Sequence, residues 1–418
     1  MSLSKNFLFL AFMVVLGAAF AEESKPPKFW VEADYLGWFI KKNPLSTPLL
    51  TTASETDPLP GAIGQTGTHV VLGRHDIRMG WMNGFQVGGG AEICAKSDIE
   101  GSYFLLPTIS KRKSLSTSGE PGSPDYAVPI FDITGVLGLN GIPGETVFIL
   151  PGPLFNSPGF FGLFKLRISS RFQGAELNGI YHFIKKDPLQ LDCLGGFRWL
   201  QLKESLIFKA ETNTVPNFPF QPEFFNFSDR FLTDNNFLAA QFGIRAKYLI
   251  QKWDLEGILK GALGATLEQI KIKGSSETSG GNLFFLTRGT ANERLPGGIF
   301  AQSTNIGTHR KSSFAGAFEA HVRSGYRIIN NFEVHLGYTF LWISKVLRPG
   351  NQIDRKINST LTALADASRE TVGTGPGPIP FGEPAAAPSR RGSKKPKVRF
   401  KTSSFYAQGI DVGATFHF

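Results

Sequence analysis

About ten segments of this chain alternate apolar and polar residues with a period of two, and the connections between them alternate strictly between long and short. The long connections run from Lys41 to Met82, Pro107 to Lys165, Gln201 to Asn235, Glu268 to Ser312 and Ser344 to Ser403, with tight turns near Ser97, Asp187, Gln251 and Asn330 between them. A period of two is the mark of a strand with one apolar and one polar face. A soluble sandwich has no reason to sort its connections by length onto opposite rims.

The segments are Phe29 to Ile40, Asn83 to Ile93, Asp98 to Leu106, Leu166 to Phe183, Leu189 to Leu200, Asn236 to Leu249, Trp253 to Leu267, Ser313 to Ile328, Phe332 to Ile343 and the closing run Ser404 to Phe418. In the first, Phe29, Val31, Ala33, Tyr35 and Phe39 share a face, and Glu32 and Asp34 lie mid-strand on the other, where they need water or a partner. The closing strand sets Tyr406, Ile410, Val412, Phe416 and Phe418 against Asp411, Thr415 and His417. By itself it suits a soluble sandwich edge as well as the closing strand of an outer-membrane barrel, which Phe416 and the terminal Phe418 resemble as an assembly signal read by the barrel-assembly machinery. The sorted connections decide between the two, because bacterial barrels have short periplasmic turns and long extracellular loops. The expected fold is all-β, a single antiparallel transmembrane β-barrel of about ten strands, ten to twelve. Trp30, Trp38, Trp253, Trp342 and Tyr406, near strand ends, fit interfacial girdles.

The N-terminus agrees. Lys5 precedes an apolar run from Phe7 to Phe20, and Ala19-Phe20-Ala21 offers small residues for cleavage, so residues 1–21 read as a secretory signal and 22–418 as the barrel domain. No later run approaches the roughly 18 apolar residues of a membrane helix. With 38 Phe and 47 Gly against 4 Met, composition favours strands and turns over helices. Cys94 and Cys193 permit at most one bridge and exclude a disulfide framework, and unpaired thiols are the favoured reading.

Alternation assigns Glu32, Asp34, Glu92, Glu176, Asp192, Arg198, Arg245, Asp254, Glu256, Glu319, Arg323, Glu333 and Asp411 to the lumen, together with Lys247, Lys260 and Arg327. A ten-stranded barrel is only slightly wider than the eight-stranded ones that side chains fill, so opposite charges there should pair rather than line a channel of one sign.

The run from Leu341 to Asn358, with Arg348-Pro349-Gly350-Asn351-Gln352-Ile353-Asp354-Arg355 at its centre, and the ending from Phe405 to Phe418 resemble the seventh family of bacterial beta-barrel porins. Phe29 to Leu36, Pro60 to Gln65, Gly174 to Asn178, Gly195 to Arg198 and Ser303 to Gly307 carry the same resemblance in order along the mature chain. It implies an outer-membrane barrel and no particular solute. The chain departs from the family in its last loop, 344–403, which is longer and more basic.

From Arg348 to Lys401 there are eleven Lys or Arg against four Asp or Glu, within a whole-chain net charge of +10. Arg390, Arg391, Lys394, Lys395, Lys397, Arg399 and Lys401 form the densest part, after a flexible Gly, Pro and Ala stretch from Gly373 to Pro388. Export argues against nucleic acid as a partner. Anionic surface glycolipid, or solvent alone around a disordered loop, suits the run equally well.

His69, His75 and Asp76 lack the companion residues of a metal site, and no Gly-x-Ser-x-Gly setting accompanies His182, His321, His335 or His417. Lumen histidines bonded to carboxylates such as Glu319 or Glu333 are the simpler reading. No enzyme activity, cofactor or metal is expected. Two roles remain: a structural or surface-interaction barrel with at most a narrow pore, or a passive diffusion channel for small polar solutes.

Overall fold

The computed structural model describes residues 28–137, 141–153, 158–216, 224–278, 293–363, 365, 390 and 392–418. The expected signal segment lies outside them, as do Arg391 and the whole Gly, Pro and Ala stretch from Gly373 to Pro388. Ten long strands form the wall: β1 Phe29–Ile40, β2 Trp81–Cys94, β3 Ser97–Thr117, β4 Phe160–Lys186, β5 Leu189–Thr214, β6 Phe224–Ile250, β7 Trp253–Thr278, β8 Gly307–Ile329, β9 Phe332–Leu347 and β10 Thr402–His417. Each pairs antiparallel with its neighbours in chain order. The ring closes where β1 meets β10, with Trp30 opposite His417 and Ile40 opposite Ala407. Closure satisfies both edge ladders, which no lipid-exposed edge could do.

The outer wall carries an exposed apolar belt, including Phe85, Phe197, Phe242, Leu263, Phe314 and Leu336. Trp253, Trp342 and Tyr406 sit on that outer face as expected. Trp30 and Trp38 do not. The even positions of β1 point inward, so both tryptophans face the lumen, and Trp38 is buried with its indole N–H donating to Asp411 at 2.7 Å. Cys94 and Cys193 are exposed, unbridged thiols.

The strands run further outward than the sequence pattern implies. The third long connection shrinks to 215–223, and β4 begins at Phe160 rather than Leu166. Near Gly174 the polarity of the wall inverts. Below it β4 points Glu176, Asn178 and His182 inward; above it the same inward parity carries Phe164, Leu166, Ile168 and Phe172, and Lys165, Arg167 and Arg171 face out. Beyond the bilayer the outer face meets water, so the apolar face moves inside, where it needs a partner.

The loops supply that partner. Leu45, Leu49, Leu50, Leu72 and Met79 from the first loop, Val128 and Ile130 from the second, and Ile353 and Ile357 from the last are buried in one core with the inward strand residues. Ile299, Phe300 and Ala301 join it ahead of β8, with Phe300 6.1 Å from Phe208 of β5. Two small sheets stiffen this plug: Leu50–Thr52 with Val70–Leu72 and Tyr126–Ala127, and Pro129–Asp132 with Gly144–Val147 and Lys356–Ile357.

Candidate functional site

The interior therefore has two storeys. The upper one is the plug, and the run beginning at Arg348 anchors it. Arg348 is fully buried; its Nε donates to Glu204 Oε2 at 2.5 Å and its Nη2 to Oε1 at 3.0 Å. Glu204, on β5, also accepts from Asn43 at 2.9 Å and Ser170 at 2.8 Å, so one carboxylate gathers the first loop, the last loop and the wall. Pro349 opens the short 3-10 turn Pro349–Gln352. At Gly350 the chain passes so close to the first loop that a Cβ would lie 2.0 Å from the Pro44 carbonyl oxygen, which explains glycine there. The Gln352 side chain bonds both backbone groups of Lys401, Asp354 accepts the Lys397 N–H at 3.0 Å, and Arg355 reaches Glu145 of the second loop at 2.5 Å.

These bonds change the reading of the basic run. Lys395 lies 3.4 Å from Asp354, Arg399 donates to the Ile353 carbonyl at 3.0 Å, and the Asn358 side chain donates to the Ser393 carbonyl at 3.0 Å. Residues 393–401 are thus a docked strap rather than a disordered stretch, with Arg390, Lys394, Lys397 and Lys401 exposed.

The lower storey is a cavity of about 310 Å³, roofed by Trp38 and Phe104. These rings lead into the plug through Phe172, 5.2 Å from Phe104, and Phe405, 5.0 Å further, over which the Arg348 guanidinium sits at 5.4 Å. The expected lumen residues converge here. Arg198 pairs with Glu319 and lies 3.6 Å from Glu176, and Lys260 bridges Glu176 at 2.5 Å and Glu319 at 3.4 Å. Arg245 meets Glu100 at 2.6 Å and Glu256 at 3.8 Å; Arg323 meets Glu32 and Glu256, each at 3.5 Å. Arg198 and Glu319 stand on β5 and β8, Arg245 and Glu100 on β6 and β3, and in neither pair are the two strands adjacent. The pairs are struts across the lumen, so their reach narrows the free cross-section.

Asp254 is buried against Lys247 at 2.7 Å, outside the cavity lining. Glu92 does not line the cavity either: it sits opposite Asp98 near the β2–β3 turn, and Arg327 is exposed at that rim. Glu333 and Asp411 line it, and Asp192 is buried beside His182 at 2.8 Å. His335 pairs with Asp34 at 2.5 Å and His321 lies 3.5 Å from Asp411, so the histidines meet aspartates rather than Glu319 or Glu333. Ten carboxylates line the cavity against six Lys or Arg and four His, so it keeps the acidic surplus that the residues assigned to the lumen from sequence already carried, although Asp98, Glu100 and Lys185 replace Glu92, Asp254 and Arg327. Glu100, Glu204 and Arg348 were missed, because nothing in local spacing ties Arg348 to a carboxylate 144 positions away. His69, His75 and Asp76 are exposed on the first loop, and among the described residues no three His, Cys, Asp or Glu gather as metal ligands.

A closed antiparallel ring, an outer apolar belt and an inner charged chamber are the anatomy of an outer-membrane barrel. The family model described as "Putative beta barrel porin-7 (BBP7)" matches residues 30–418. The chain belongs to the beta barrel porin-7 family. As a member of that family it is a β-barrel of the bacterial outer membrane. No curated protein matches it. Among solved structures it is similar to the outer membrane protease OmpT of Escherichia coli, at 8% identity and a TM-score of 0.41, over 95% of this chain and 99% of that one. A Pseudomonas aeruginosa FadL homologue matches at 8% identity and 0.20, over 93% and 90%. The Pseudomonas putida toluene transporter TodX matches at 8% and 0.21, over 96% and 90%.

Proposed function

We propose that this porin-7 barrel serves a structural or surface-interaction role in the outer membrane, conducts little, and is not an enzyme. The observation that carries the reading is the plug, whose buried side chains from four loops share one core with the upper wall. Beneath it, the struts across the chamber would have to break before a hydrated solute passed. Residues 1–21 direct export on this reading, and the barrel-assembly machinery reads Phe416 and Phe418. The runner-up, a passive diffusion channel for small polar solutes, draws support from the polar chamber of about 310 Å³. Recording in planar bilayers separates the two. The purified barrel should show small or no conductance, and any residual current should favour cations because the lining carries more carboxylates than bases. Stable openings as large as those of a general porin would reject the proposal in favour of the channel.

A further inference from the structure

Just above the apolar belt, the outer wall carries a polar collar. Tyr103 donates to Gln173 at 3.0 Å, Gln173 to Gln201 at 2.6 Å, and Gln201 to Asn236 at 2.9 Å, with the Trp199 indole also on Asn236 at 3.4 Å. An interfacial Tyr and Trp tied to such a collar place the edge of the outer leaflet here.

Above the collar, register puts outward-facing bases into rows. The first holds Arg171 opposite Lys203, then Asp234, Gln269 and Arg310. Four residues further out come Arg112 opposite Arg167, then Ile207, Arg230 and Lys273, with Lys271 between the two rows. Lys165 and Lys209 lie opposite each other one row beyond. Within these rows the bases number ten and the carboxylates one, Asp234. Among the described residues only Lys165, with Glu211, and Lys203, with Asp234, have a carboxylate partner on this face.

Arg112 directly opposite Arg167 is unfavourable unless an anion lies between them. Between the two arginine rows runs a shelf of small hydroxyls, Ser110, Ser169 and Ser205, with the last two bonded at 2.7 Å and Ser110 accepting from Arg167 at 3.3 Å. The two arginine rows lie four residues apart, roughly 13 Å, with the serine shelf midway, so a phosphate over the shelf lies about 7 Å from either row and within reach of guanidinium forks from both.

We propose that this face binds the phosphorylated headgroups of an outer-leaflet glycolipid, held by Arg112, Arg167, Arg171 and Lys203 over the serine shelf. Membrane placement supports this source over free phosphate or soluble polysaccharide: the rows begin where the belt ends, and Ile207 and Leu232 within them suit the upper ends of acyl chains. The inference rests on the outer-membrane placement alone, and a conducting barrel would leave it intact.

The test uses the full-length barrel in detergent with diphosphoryl lipid A, dephosphorylated lipid A and inorganic phosphate as probes, read by native mass spectrometry and titration at low salt. Wild type should bind the diphosphoryl form at least tenfold more tightly than the dephosphorylated form. Binding should weaken as salt rises. The triple variant Arg112→Gln, Arg167→Gln, Arg171→Gln should lose about tenfold, whereas Lys394→Gln with Lys397→Gln on the strap should lose nothing. Lys271→Gln with Lys273→Gln probes the same face should the triple variant fail to fold, and is expected to weaken binding several-fold. Equal affinity for the two lipid forms, inorganic phosphate displacing the lipid at equal concentration, or loss on the strap variant but not on the wall variants would overturn the proposal.

Discussion

Replacing Glu204 with Gln tests the plug anchor most directly. Gln keeps the shape of the side chain and an oxygen for Asn43 and Ser170, so the change removes charge and little else. Arg348, fully buried, is then left without a counter-charge. Removing one partner of a buried pair costs about 3–5 kcal/mol, chiefly because the other charge remains desolvated. The Arg348 guanidinium keeps its place over Phe405 and a 3.4 Å bond to the Lys41 carbonyl, so the lower part of that range, about 3 kcal/mol, is expected. Arg348→Met combined with Glu204→Gln removes both charges and should regain most of the loss, since apolar replacements of buried pairs are often neutral. Urea unfolding of the barrel in lipid vesicles, followed by tryptophan fluorescence and by heat-modifiable migration, measures both. A loss below about 1 kcal/mol in Glu204→Gln, or a double variant no more stable than the single, would show that the plug is held by its apolar core and that the ion pair is incidental.

Three further outcomes are expected. Neutralising Arg198 and Arg245 together, as Gln, should lower unfolding stability by several kcal/mol while shifting ion selectivity little, because Glu319 and Glu100 each lose their closest base and Glu176 and Glu256 each lose a second one; unchanged stability in the same urea assay would contradict the struts. Deleting Phe418, whose N–H bonds the Phe29 carbonyl at 2.8 Å, should reduce outer-membrane insertion and leave material in the periplasm, and equal heat-modifiable barrel with and without it would refute this. In the second loop, partial burial and then nearby Glu55 raise the Asp125 carboxyl from 3.8 to about 6. The folded state thus holds that proton more tightly, so this contribution is full below about pH 4 and lost as pH rises through 6. Asp125→Asn should therefore unfold at a higher temperature than wild type at pH 7.5, with the gain vanishing at pH 4; a gain independent of pH would exclude the carboxyl as its source.

The lower half of the barrel was legible in the sequence and the upper half was not, for one physical reason. In β1 the bounds Phe29 to Ile40 emerge from the pattern unchanged, because Phe29, Val31, Ala33, Tyr35 and Phe39 keep the outer face apolar from end to end while Glu32 and Asp34 mark the inner one. In β4 the period of two continues without a break from Phe160 to Lys186, but the apolar side changes hands near Gly174. A reading that expects one apolar face per strand starts β4 only at Leu166, ends β7 at Leu267 and takes Gln269-Ile270-Lys271-Ile272-Lys273 for loop. The alternation in those five residues was the available signal. Trp30 and Trp38 were assigned to the girdle by residue type, whereas parity places them with Glu32 and Asp34 inside.

The inversion also constrains what the loops can be. An upper wall that turns Phe164, Phe172, Phe208, Phe231 and Phe237 inward cannot leave its interior full of water, since each fully buried aromatic or aliphatic side chain is worth roughly 1.5–3 kcal/mol. Loops that close over such a wall must themselves be apolar where they touch it, and must satisfy their backbone where they enter it. Asn235 does so for Leu347, exchanging bonds of 2.9 and 2.6 Å with its backbone, and Asp229 for the Ile299, Phe300 and Ala301 N–H groups. Both lie on β6, on the inward parity of the part that rises above the belt. The plug is therefore specified by the strands as much as by the loops. A lumen that opened to solutes would have to expose that aromatic wall to water as well as release the charged struts below it, and the two costs fall on separate storeys of the same barrel.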